Sequence, residues 1–114
     1  MIETNEMKKI LSMVVDRTAQ GEIEWREGQE GEFSVSFPQS TLVINKLRAK
    51  DGGLFAVLSA LNALGDRVGH LHTAVNPEVQ TLLFKLYNDV SNKARRVDET
   101  FNDILQGLGG SKNS

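Results

Sequence analysis

Apolar residues recur along this chain with two different periods, and the switch between them divides it into elements. Met7, Ile10, Leu11 and Val14 fall at i, i+3, i+4 and i+7, one stripe of a helix. The spacing predicts a helix over residues 5–20. Asn5 would be its N-cap, Glu6 would sit in the first turn where the helix dipole favours an anion, and Gly21 would end it. The period then drops to two. Glu22-Ile23-Glu24-Trp25-Arg26 alternates charged and apolar, as does Glu32-Phe33-Ser34-Val35-Ser36-Phe37, and each run predicts a strand with one buried face. Gly28-Gln29-Glu30-Gly31 is a turn between them, and Pro38-Gln39-Ser40 ends the second. Residues 41–50 form a third strand, closed by Asp51-Gly52-Gly53.

Residues 54–64 satisfy both periods, because Leu54, Val57, Leu58 and Leu61 would also make a helical stripe. The turn signals Asp51-Gly52-Gly53 and Leu64-Gly65-Asp66 on either side favour two strands, over 54–61 and 67–73. Asn76-Pro77-Glu78 then opens a last helix with a capping side chain, a proline suited to the first helical position and an acid in the first turn. Its apolar positions run from Val79 to Leu108, where Gly107, Gly109 and Gly110 stop it. The expected fold class is α+β: an N-terminal helix, a five-stranded, mostly antiparallel meander and a long C-terminal helix. One domain over residues 1–110 is expected, with a disordered tail at 111–114.

The local text also carries a resemblance. Gly21-Glu22-Ile23-Glu24-Trp25, Ser40-Thr41-Leu42-Val43-Ile44 and Leu58-Ser59-Ala60-Leu61-Asn62 leading into Gly65-Asp66-Arg67-Val68-Gly69 resemble small bacterial α+β domains of unknown function. Those domains similarly end in a helix like the one from Leu82-Phe84-Leu86-Tyr87 through Val97-Asp98-Glu99-Thr100. The resemblance covers most of the chain and implies the hairpin reading of 54–73. It implies no activity, cofactor or site.

Length and charge narrow the function classes. At 114 residues the chain buries enough surface for one modest core, and 39% hydrophobic with 25% charged residues is a globular composition. A net charge of −2 supplies no broad field to draw in nucleic acid or acidic membranes. Absence of cysteine removes disulfides, thiolate metal sites and cysteine nucleophiles, and fits a reducing cytoplasm. The N-terminal residues lack a signal-peptide core, and no segment has the roughly 20 apolar residues that span a bilayer. No cofactor fingerprint or nucleophile elbow is present, so no enzyme class is indicated.

Four groups of residues remain as candidates. In the last helix Val90, Ala94, Val97, Phe101, Ile104 and Leu108 repeat at steps of four and three, a coiled-coil-like seam. A helix over residues 77–106 spans roughly 45 Å and outruns a small sheet, so part of its stripe needs another cover. Leaving Val97, Phe101 or Ile104 in water forgoes roughly 1.5–3 kcal/mol each. The seam thus points to a homodimer through the C-terminal helix, with ordinary packing within the chain, wider cover by the first helix, a break near Ser91-Asn92 or another protein partner as alternatives.

His70 and His72 share one face of the fifth strand, a spacing that zinc or iron sites use, but no third ligand is evident in the sequence. Lys46, Arg48 and Lys50 alternate along the third strand and could hold phosphates. A cationic edge also guards against strand pairing, and this face carries no aromatic residue for base stacking. Asp98, Glu99 and Asp103 read as a salt-bridged surface rather than an acid–base pair. Trp25 and Tyr87 read as core and core-edge residues.

Overall fold

The computed structural model describes residues 1–29 and 31–110, without the side chains of residues 94–98 and 110. Glu30 of the first turn and the tail at 111–114 lie outside the described residues. The element order is helix α1 (Thr4–Ala19), strands β1 (Arg26–Glu27), β2 (Glu32–Phe37), β3 (Ser40–Arg48), β4 (Leu54–Leu61) and β5 (Arg67–His72), then helix α2 (Gln80–Leu105). The strands form one antiparallel sheet in the order β1-β2-β3-β4-β5. The fold is α+β. No helix among the described residues is long and apolar enough to cross a membrane.

Residues 54–61 are a strand, and their cross-strand register explains why the helical alternative fails. Leu58 pairs with Ile44 and Leu71 in the core row, whereas Val57 lies opposite Asn45 and His72 on the other face. The core therefore needs alternate residues, which only the period of two supplies. Both helices lie on the face that carries Phe33, Ile44, Leu58 and Leu71. Met7, Leu11 and Val14 of α1 and Leu83, Leu86 and Val90 of α2 complete that core.

Four boundaries differ from the sequence pattern. The N-cap of α1 is Glu3, whose N–H donates to Glu6 Oε1 at 3.2 Å, so Asn5 lies inside the helix. At its other end Gly21 takes φ 75° as expected, with its N–H on the Thr18 carbonyl and the Glu22 N–H on that of Arg17. The predicted strand at 22–26 reduces to Arg26–Glu27, paired with Ser34 and Phe33. Ile23 and Trp25 still pack against the core, so their alternation records burial without ladder pairing. The third strand stops at Arg48, two residues before the predicted end. Before α2, Pro77–Val79 form a 3-10 turn, and the Asn76 side chain accepts the His72 N–H at 3.4 Å instead of capping the helix.

Helix α2 then runs unbroken past Ser91-Asn92 and ends in a π-helical turn over Gln106–Gly110. Two ties hold the helices together. Lys8 Nζ meets Glu78 Oε2 at 3.3 Å, and the Glu78 carboxyl is held below the usual carboxylate range by its own backbone N–H and by Lys8. Lys93 Nζ donates to the carbonyl of Thr18, a fully buried residue whose hydroxyl accepts the Trp25 indole N–H at 3.0 Å. A cation at the C-terminal end of α1 also complements the helix dipole.

Candidate functional site

The two halves of α2 have different environments. Val79 just before it, then Leu83, Leu86 and Val90, are buried in the core of their own chain. The seam predicted from Val90 onward is thus already covered at its first residue. Further on, Phe101 is 61% exposed, Ile104 53%, Leu105 49% and Leu108 81%. Ala94 and Val97 have side chains outside the described residues, as do Arg95, Arg96 and Asp98. Glu99 and Asp103 are exposed. Twenty-six helical residues span roughly 39 Å, and no strand here exceeds nine residues, about 31 Å. The helix is longer than any strand among the described residues, and the distal part of its stripe is exposed.

His70 and His72 do share a face, the one turned away from both helices, opposite Ser59 and Val57 of β4. His70 is exposed. The ring of His72 lies against Phe55, with centroids 5.1 Å apart, and its Nδ1 accepts the Ala74 N–H at 3.0 Å. That bond ties down the chain after β5. Among the described residues no group of three histidines and carboxylates is placed to hold a metal ion.

Lys46, Arg48 and Lys50 do not converge on a common point. Lys46 Nζ sits 5.3 Å from the centroid of the Tyr87 ring, a cation–π contact. Tyr87 in turn meets Phe33 edge-on at 5.6 Å, so this cation is part of the packing between α2 and the sheet. Arg48 Nη1 donates to the Gly52 carbonyl at 3.4 Å across the β3–β4 turn, and Lys50 is exposed past the strand end. An aromatic ring does lie beside Lys46. It comes from α2, which a reading of strand neighbours alone misses.

One concave feature among the described residues was not among the sequence candidates. Beneath α1 lies an open pocket of about 590 Å³. Ile10, Met13 and Val14 of α1 form one wall, and Leu42, Ala60 and Val68 of the sheet form the floor. Phe37 at the end of β2 and Ile23 close two sides. Its polar rim comprises Arg17, Glu22, Gln39, Ser40, Thr41 and Asn62. The register explains the hollow. One core-side row of the sheet reads Val35, Leu42, Ala60 and Gly69, so its two smallest side chains are adjacent. Met7 and Ile2 crowd over Gly69, while Ala60 lines the pocket. Trp25 does not line this pocket, although Ile23, two residues before it, does.

No protein-family model, curated protein or solved structure matches the chain.

Proposed function

We propose that the protein is a non-catalytic module that self-associates through the distal half of α2. One observation carries this reading: Phe101, Ile104 and Leu108 are more than half exposed and Leu105 is 49% exposed, all at the distal end of the helix. Isolated exposed apolar residues need no explanation, but four large ones within eight positions of one helix mark a contact surface. A cysteine-free chain with no membrane-spanning helix among its described residues suits a cytoplasmic setting for such a module.

A second copy is the partner this surface fits best. In sequence the helix runs from basic, at Lys93, Arg95 and Arg96, to acidic, at Asp98, Glu99 and Asp103. Two copies laid antiparallel bring opposite charges together beside the apolar seam. Withdrawing the remaining exposed area of each side chain yields roughly 1–1.5 kcal/mol, so eight of them give roughly 8–12 kcal/mol before costs. Association itself costs roughly 4–15 kcal/mol. The seam therefore supports a weak, concentration-dependent dimer.

Sedimentation velocity from low to several hundred micromolar tests this directly. The wild-type chain should shift from monomer to dimer over that range. Phe101→Glu/Ile104→Glu should stay monomeric with an unchanged thermal transition, because neither residue belongs to the core. A wild-type monomer at the highest concentration overturns the reading.

A further inference from the structure

We infer that the pocket beneath α1 is a binding site for a small, uncharged amphiphile, an apolar chain or ring with one alcohol, ester or amide head. The size is suitable: about 590 Å³ lies within the roughly 300–1,000 Å³ typical of small-molecule sites. The lining is suitable as well. Ile10, Met13, Ile23, Phe37, Leu61 and Val68 surround the space with aliphatic and aromatic surface. Of these, Met13 is 55% and Phe37 44% exposed at the mouth, where an apolar occupant would cover them. An occupant would thus gain hydrophobic burial on both sides, its own and the protein's.

The rim decides the head group. Its two charged side chains are paired with each other, Arg17 Nε lying 3.6 Å from Glu22 Oε1. The pair is solvent-exposed, so an ionic head at the mouth finds no unpaired counter-charge there, and one drawn in among the apolar lining would lose its hydration. Asn62 is also engaged, since its Oδ1 accepts the N–H groups of Leu64 and Asp66, each at 3.0 Å, in the β4–β5 turn. The Ser40 and Thr41 hydroxyls and the Gln39 amide remain at the mouth, and no hydrogen bond from these side chains occurs among the described residues. Such neutral donors and acceptors match a neutral head.

The chain carries its own reporter of occupancy. Trp25 is the sole tryptophan, two residues from Ile23 of the pocket wall. Its indole N–H is bonded to Thr18, the residue after Arg17 of the rim. A molecule pressing on Ile23 and α1 changes the surroundings of that indole.

The test titrates 1-octanol, octanoate and octylamine, each below its aggregation limit, into the full chain. Trp25 emission and isothermal calorimetry serve as readouts. Octanol should bind saturably at one site per chain, at least tenfold tighter than either ion. Ala60→Leu raises the floor and should weaken octanol at least tenfold. Met13→Glu, at an exposed position that spares the core, should do likewise with an unchanged thermal transition, which keeps the test valid if Ala60→Leu fails to fold. Phe101→Glu/Ile104→Glu should bind octanol as the wild type does, separating this site from the helix seam. Absence of saturable binding, equal binding of all three probes, or full binding by Met13→Glu overturns the assignment. Dissociation of a dimer by octanol also overturns it, because the pocket would then seat the partner copy.

Discussion

Replacing Gly69 with alanine should destabilise the protein by about 1–2 kcal/mol, and the structure indicates why and where. A Cβ on Gly69 would stand 2.8 Å from Met7 Sδ and 2.9 Å from Ile2 Cβ. Neither neighbour yields freely. Met7 is fully buried in the core under α1, and Ile2 is anchored by its own N–H on the Val68 carbonyl at 2.7 Å. Overpacking of this kind costs typically about 1–3 kcal/mol. Gly69 is not among the glycines with positive φ, so alanine fits the backbone and recovers roughly 0.4–1 kcal/mol by restricting the unfolded chain. The difference is the net figure, and for a domain of this size it lowers the melting temperature by about 4–8 °C. Urea unfolding followed by Trp25 emission measures it. A double-mutant cycle with Met7→Ala isolates the clash. Alone, Met7→Ala should cost about 2–5 kcal/mol by leaving a cavity. The double variant should then be about 1 kcal/mol more stable than the sum of the singles, because the methyl enters vacated space. A Gly69→Ala protein as stable as the wild type refutes the steric argument, and so do additive costs.

Two further outcomes follow from polar contacts made by α1. The depressed Glu78 carboxyl contributes stability that is present above its unfolded-state pKa and lost as pH falls through the lower folded value. Glu78→Gln should therefore melt slightly below the wild type at neutral pH, with the difference vanishing in acid; a constant difference across the titration sinks this account. Thr18→Val keeps the buried shape but removes the acceptor of the Trp25 indole N–H, and should cost roughly 0.5–1.5 kcal/mol. The same change in a Trp25→Phe background should cost measurably less, as determined by thermal unfolding of all four proteins.

Local pattern and turn chemistry made most of the fold legible. Asp51-Gly52-Gly53 and Leu64-Gly65-Asp66 bracketed β4 correctly even where the apolar spacing was ambiguous. What stayed hidden depends on partners distant in sequence. Ile23 and Trp25 alternate because both touch the core, yet ladder pairing begins only at Arg26, and alternation cannot distinguish the two causes. Lys46 reads as a free cation until α2 places Tyr87 beneath it. The pocket was the least legible feature. Its origin is the placement of Ala60 beside Gly69, which becomes visible only once the β4–β5 register, with its irregularity at Ala60/Leu61, is known. By contrast, the exposed distal seam was legible as a length mismatch, since helix rise and strand rise are fixed by backbone geometry.

The meander has a consequence for the order in which the molecule can be completed during synthesis. Every strand pairs with its neighbour in the chain, so the sheet can close hairpin by hairpin as it is made. Helix α1 cannot follow that order. Its seat is completed by β5, where Ile2 bonds Val68, and by Lys93, 75 residues downstream of the Thr18 carbonyl it holds. Helix α1 precedes the sheet in the chain and is thus seated after it. Until then the Leu42, Ile44 and Leu58 side of the newly formed sheet lies open to solvent and to other chains.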